Sequence, residues 1–326
     1  MDVRNPTQDS GTHNKDGSNT VVLNLIDNIE SVVLGKRDVA KMCLVALLSG
    51  EHVLLEDVPG VGKTLMGKAI SRSVDGSFRR IQFTPDLLPS DIVGSSVFNT
   101  KENRFEFNQG PVFSNFVLAD EINRAPPRTQ SALLEAMSDA QVSVDGTTHQ
   151  LSSPFMVIAT QNPFEFEGTY VLPESQMDRF LLRISMGYPD REFERKILNS
   201  HRAGEPIDQM TPACSPADLV QLQQQVREVK VEDSISDYIM NIVQATRESP
   251  QLSVGVSTRG SLLWYRATQA RAFIEGRDFA VPDDAKELAV AVLSHRIQLP
   301  GVMHGGHRDE SEAAIREIIG TVATPR

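Results

Sequence analysis

The feature that most constrains this chain lies at residues 52–73. An apolar run, His52–Glu56 (HVLLE), passes directly into Asp57-Val-Pro-Gly60-Val-Gly62-Lys63-Thr64, and a helical stretch, Leu65–Ser73, follows. A strand that opens through a glycine-rich turn onto a helix N-terminus forms an anion cradle. The glycines let backbone N–H groups close on phosphate oxygens, and the helix end favours negative charge. Gly60, Val61, Gly62, Lys63, Thr64 and Leu65 make up this cradle. Lys63 is placed to reach the β and γ phosphates of a nucleotide and Thr64 to ligate Mg²⁺. The strict pattern asks for Gly at position 57, where this chain has Asp, a residue that also suits turns.

Other apolar runs fit the same architecture. Arg80–Phe83, Phe116–Ala119, Phe155–Ala159 and Phe180–Ile184 are apolar with little alternation, as expected of strands buried on both faces of a parallel sheet. Residues 141–151 (QVSVDGTTHQL) alternate around Asp145-Gly146, a hairpin signal. Beyond Pro189 only helical patterns remain: Arg191–His201, Pro216–Val229, Ser234–Arg247, Thr258–Ile274, Pro282–Leu299 and Glu310–Val322. The expected organisation is a disordered polar tail over residues 1–20, an α/β nucleotide-binding domain over 21–189 and an all-helical domain over 190–326.

Two strand ends carry further chemistry. Phe116–Ala119 leads into Asp120-Glu121, and adjacent carboxylates at the C-terminal edge of a buried strand lie where α/β sheets bind ligands. Asp120 suits the Mg²⁺ shell, and Glu121 suits orienting and deprotonating an attacking water. Phe155–Ala159 ends in Thr160-Gln161-Asn162-Pro163, where Asn162 can hydrogen-bond the water or the γ-phosphate. The alternative there is a simple Asn-Pro turn. Arg179, just before a buried strand, reads either as a guanidinium offered to a neighbouring subunit or as half of an intrachain salt bridge. Arg259 begins a helix, where a cation opposes the dipole, so a phosphate or a carboxylate must compensate it.

The segments LLEDVPGVGKT, FVLADEINRAPPRTQSALLEAM, VIATQNP, LPESQMDRF and STRG together resemble the MoxR branch of the AAA+ ATPases, in order and spacing from about Val33 to Thr321. The resemblance implies an αβα P-loop domain with a parallel sheet, a helical lid, ATP hydrolysis with Mg²⁺ and a ring oligomer, usually a hexamer. It assigns Lys63 and Thr64 to Walker A, Asp120 and Glu121 to Walker B and Asn162 to sensor 1. It likens Arg179 to an arginine finger and Arg259 to a sensor 2 reaching back from the lid, and it sets Val33-Leu34-Gly35 beside the adenine. Arg124 and Arg128 are rival fingers. Relatives also imply that the regions matching 97–113 and 141–151 face the ring pore, and that the partner is a protein with a von Willebrand A domain.

Composition narrows the alternatives. The chain has 32 Lys+Arg against 43 Asp+Glu, a net charge of −11, which argues against a second reading as a nucleic-acid motor. A nucleotide-gated binding module without turnover is disfavoured by Glu121, Asn162 and Arg179. The two cysteines, Cys43 and Cys214, lack metal spacing and suit a reducing, cytoplasmic setting, and no run is apolar enough to span a membrane. Three further patterns are set aside: Asp16-Gly-Ser18-Asn-Thr20 as a metal-site motif, Leu48-Ser49-Gly50 as a transporter signature, and His304-Gly-Gly-His307 as a metal loop.

Overall fold

The computed structural model describes residues 12–163, 168–200, 205–301 and 308–325. Helix α1 (Thr12–Val32) and α2 (Arg37–Ser49) precede β1 (His52–Glu56), α3 (Lys63–Ser73) and β2 (Phe78–Gln82). Next come α4 (Pro89–Val93), the hairpin β3 (Gly94–Asn99) and β4 (Arg104–Gln109), then β5 (Phe116–Asp120) and α5 (Pro127–Asp139). A second hairpin, β6 (Gln141–Val144) and β7 (Thr147–Gln150), leads to β8 (Met156–Gln161), α6 (Glu174–Met177) and β9 (Phe180–Ile184). Helices α7 (Arg191–Ser200), α8 (Pro216–Arg227), α9 (Asp233–Glu248), α10 (Thr258–Ile274), α11 (Pro282–Leu293) and α12 (Arg308–Thr321) complete the chain.

All five strands expected of the main sheet form it, in the order β2-β5-β8-β1-β9, and every pairing is parallel. Strand β1 therefore lies between β8 and β9 while the chain's next strand lies at the far edge. That reversal opens a crevice beyond the C-terminal end of β1. Alternate residues of β1 feed two cores. Val53 and Leu55 join a layer with α1, α2 and α3, whereas Leu54 packs with Val117, Ala119, Val157 and Leu133 on the other face. The first layer runs without a break into the helical region through Leu263, Trp264 and Leu288. Burial on both faces is why β1 and β5 read as continuous apolar runs.

Three differences from the sequence reading have physical causes. The polar tail was expected to extend to residue 20, yet α1 begins at Thr12. Its early turns dock on the helical region: Ser18 is buried, and Asn19 comes within 3.0 Å of where a Cβ on Gly276 would stand. Tertiary docking thus overrides weak local propensity. That helical placement also removes the loop a metal motif at residues 16–20 would need, while the His304–His307 segment lies outside the described residues. Second, β3 and β4 form a hairpin that was not expected as strands. It is joined through Asn103 at φ 51° and closed by Gly94, where a Cβ would come 2.2 Å from the Asn108 carbonyl oxygen. Third, helix Pro282–Leu299 stops at Leu293 and tightens into a 3-10 turn, Ser294–Arg296. The turn at Asp145 (φ 51°) and Gly146 (φ 76°) gives the expected hairpin. Both cysteines are buried free thiols, and burial pushes Cys43 up to about 12.

Trp264 fixes α10 to α11: its ring is fully buried and its indole N–H donates to the Ala285 carbonyl at 2.9 Å. Trp264→Ala is expected to cost about 3–5 kcal/mol in chemical denaturation followed by circular dichroism. Trp264→Phe, which keeps an aromatic ring but loses the bond to the Ala285 carbonyl, should cost about 1 kcal/mol.

Candidate nucleotide site

Strand β1 ends in a loop whose two tight points are glycines, Gly60 at φ 86° and Gly62 at φ 97°, and Gly62 caps α3. A side chain at Gly62 would be strained whatever the space around it. The Lys63 ammonium is buried and donates to the Asp57 carbonyl at 2.6 Å across the loop. Burial lowers its pKa, and the carboxylates of Asp57, Asp120, Glu121 and Glu56 oppose that shift.

Asp57, at the position where glycine was expected, anchors the loop. One carboxylate oxygen accepts from the Val58 N–H at 2.8 Å. The other accepts from the Ser185 hydroxyl at 2.7 Å and the Gly187 N–H at 2.6 Å, just beyond β9. Burial opposes ionisation of Asp57, yet these donors outweigh it and hold the carboxyl below its ordinary range.

The carboxylates lie two strands away. Asp120 ends β5 and Glu121 follows in a left-handed conformation, φ 57° and ψ 51°. A buried Thr160 hydroxyl fixes both residues: it donates to Asp120 Oδ1 at 2.5 Å and accepts the Glu121 N–H at 2.9 Å. Asp120 Oδ2 accepts two bonds from the Arg80 guanidinium, at 2.6 and 3.0 Å. Glu121 Oε2 accepts from Gln82 at 3.0 Å and from Arg124 at 3.1 Å. Asn162 is buried immediately after β8, between β5 and β1 in the sheet. Beside the loop, Lys36 donates to the Tyr188 carbonyl at 2.9 Å, and the Phe193 ring covers Gly35. Lys63, Asp120, Glu121 and Asn162 thus converge at the C-terminal ends of three adjacent strands. The oxygen donors of Thr64 and Asp120 are the hard ligands Mg²⁺ takes.

Residues 52–182 match the ATPase family associated with various cellular activities (AAA), and residues 244–318 match the AAA lid domain. YeaC of Bacillus subtilis is 50% identical over 92% of this chain and 93% of its own length. Chaperone MoxR1 of Mycobacterium tuberculosis is 43% identical over 92% of this chain and 81% of its own. The chain belongs to the MoxR family of AAA+ ATPases. A crystal structure from Cytophaga hutchinsonii at 37% identity superposes with a TM-score of 0.87, covering 97% of this chain and 98% of that one. The fold is accordingly an α/β AAA+ domain followed by a helical lid, and nucleotide binding comes with the family.

Two arginines stand apart from this MoxR site. Arg179 lies at the start of β9 and donates to the Leu134 carbonyl at 2.7 Å, while its Nε is buried without a partner. Among the described residues it forms a carbonyl contact in place of an intrachain salt bridge. Arg259 is exposed in the first turn of α10, whose cap Ser257 donates to Asp178 at 3.2 Å. The Arg259 charge acts on Glu51 and His52, at the N-terminal end of β1. The five residues of β1 separate that end from the phosphate loop by roughly 15 Å. Arg259 was expected to act as a sensor 2 reaching back from the lid, and within one chain the lid sets it near Glu51 and His52, at the other end of β1 from the phosphate loop. Arg124 is engaged by Glu121, and Arg128 is exposed on α5.

The sequence reading missed the roles of Asp57, Arg80, Gln82 and Thr160. The available signal was on β2: Arg80 and Gln82 sit two residues apart and share one face of a strand that otherwise buries Ile81.

Asp57→Asn removes the anion that the Ser185 and Gly187 donors hold, at an expected cost of about 2 kcal/mol at pH 7. A carboxyl held low adds stability that is fully present above its unfolded value and lost as pH falls through the folded one. The gap between wild-type and Asp57→Asn unfolding curves should therefore be widest near neutrality and narrow below about pH 4. A gap independent of pH would refute the assignment.

Proposed function

We propose that the protein hydrolyses ATP with Mg²⁺ as a cytoplasmic ring, probing each site with residues of the next subunit, and uses the cycle to remodel protein partners. The observation that carries this reading is the split of the machinery between the two ends of the sheet. Lys63, Asp120, Glu121 and Asn162 share one end, while Arg179 and Arg259 share the other.

In this reading the backbone of Gly60–Leu65, including Val61, encloses the phosphates. Lys63 exchanges the Asp57 carbonyl for phosphate oxygens. Thr64 and Asp120 hold Mg²⁺, which neutralises charge on the β and γ phosphates when bound. Glu121 takes the proton of the attacking water, which Asn162 helps to orient. Val33-Leu34-Gly35 borders the adenine beneath Phe193. A site that lies at the far end of the sheet from its own Arg179 and Arg259 is completed by head-to-tail packing, which closes into a ring, and a hexamer is the form we propose. Kinship to MoxR chaperones supports remodelling as the output, and the family resemblance supports a von Willebrand A-domain protein as the partner.

Lys63→Ala is expected to abolish ATP binding with the fold intact, measured by nucleotide titration and circular dichroism. Glu121→Gln should bind ATP but stop turnover, because an amide does not accept the water's proton. Wild-type hydrolysis by Glu121→Gln would remove it as the base.

Mixing variants tests the assembly. Arg179→Ala should bind ATP and be nearly inactive, since a trans guanidinium is worth about 10³–10⁵ in rate in related systems. A Lys63→Ala subunit still presents Arg179 to an Arg179→Ala neighbour, so rings shown by mass measurement to be mixed should regain ATPase activity. Mixed rings that stay inactive would exclude Arg179 and turn attention to Arg124 and Arg128.

A further inference from the structure

Asp120 has two carboxylate oxygens, and both are taken. Oδ1 is held by the buried Thr160 hydroxyl, so Oδ2 is the oxygen left for a cation. The Arg80 guanidinium fills that role with a fork of two bonds to Oδ2. The fork does not stop there: Arg80 Nη2 also donates to Gln82 Oε1 at 2.7 Å, and Gln82 Nε2 donates to Glu121 Oε2. One chain of contacts therefore joins the metal-ligand candidate to the base candidate. Arg80 stands on the edge strand β2 with its side chain 50% exposed against 12% for Asp120, so it has room to swing into solvent.

We propose that Arg80 is a positioning residue that stands in for the divalent cation, holding Asp120 and, through Gln82, Glu121 in a resting arrangement that must be given up when Mg²⁺ is bound. This rests on the reading of Asp120 as an Mg²⁺ ligand. Two cations on one oxygen repel, so Arg80 withdraws for Asp120 to ligate a metal. Its withdrawal removes the partner of the Gln82 carbonyl and frees that amide to turn, which loosens one of the two holds on Glu121. Arg80 thereby sets how much Mg²⁺ the site demands, and it ties metal arrival to release of the base.

The test uses the full chain, a fluorescent ADP analogue and a titration with MgCl₂ from an EDTA baseline. Arg80→Met removes the competing charge and keeps the length of the side chain. It should reach half of the Mg²⁺-dependent change in ADP binding at about tenfold lower Mg²⁺, the low end of the worth of one charge-assisted contact. Arg80→Lys, which keeps the charge without the fork, should fall between. Without nucleotide or Mg²⁺, Arg80→Met should also melt below wild type, and the difference should close once Mg²⁺ and ADP are added. A folded Arg80→Met whose Mg²⁺ requirement is unchanged or higher overturns the proposal. If Arg80→Met does not fold, Arg80→Lys decides: a lower Mg²⁺ requirement supports the proposal and an unchanged one overturns it. Wild-type ADP binding that ignores Mg²⁺, or Lys63→Ala binding ADP like wild type, would instead overturn the site reading beneath it.

Discussion

The turn that leaves β1 must place Gly60 and Gly62 in left-handed conformations, bring Lys63 back over the loop and still meet the next layer of the protein. Asp57 satisfies the last two demands at once. Its carbonyl accepts the Lys63 ammonium, and its carboxylate accepts donors from residues 58, 185 and 187. A glycine there would permit the turn but would leave the segment after β9 without an anchor. The phosphate loop is thus tied to the point where the chain leaves the sheet for the helical domain. Hydrogen bonds to a charged group are stronger than neutral ones, which suits a junction that must keep its geometry.

The same physical rule governs the carboxylate side of the crevice. Asp120 and Glu121 would repel one another and Glu56 if left bare. Thr160, Arg80, Gln82 and Arg124 each supply a donor, so the negative charge is met before any ligand arrives. Lys63 is likewise met by a carbonyl. Each functional charge in the crevice has a protein partner that a nucleotide or metal would replace. Binding at such a site exchanges contacts and does not simply add them, so affinity measures the difference between two sets of partners.

Legibility from sequence followed burial and periodicity. Four strands of the main sheet and the helices after residue 189 could be read because burial and helical spacing leave strong patterns, whereas β2 is an edge strand that buries only Ile81. The convergence of Lys63, Asp120, Glu121 and Asn162 could be read because each follows the end of an apolar run that forms a strand. Arg80 and Gln82 were illegible as partners, since pairing across parallel strands depends on a register between residues about 40 positions apart. The end of the sheet at which Arg259 lies was hidden for a related reason. A motif gives the residue but not the direction from which a second domain approaches, and here Ser257 and Arg296 meet Asp178 at the N-terminal edge. The start of α1 was hidden because its early turns depend on docking against Gly276, a contact with no local signature.

The helical domain grips β1 at both ends, and it does so with charge. At the start, Arg266 pairs with Glu51 at 3.0 Å, a carboxyl that burial pushes up against the pull of Arg266. At the end, Arg308 of α12 reaches the Glu56 carboxylate at 3.4 Å and its carbonyl at 3.3 Å, while Arg183 of β9 lies 3.9 Å from the same carboxylate. Near the start of β9, Arg296 is almost wholly buried against Asp178 at 2.8 Å, and burial pushes its pKa down to about 10. Of these side chains Arg296 is the most deeply buried, and a buried pair costs several kcal/mol when one partner is removed. Glu56 directly precedes Asp57, so the residue held by α12 is one bond from the residue that holds the phosphate loop. A shift of the helical domain relative to β1 must therefore strain an ion pair at one end of the strand or the other.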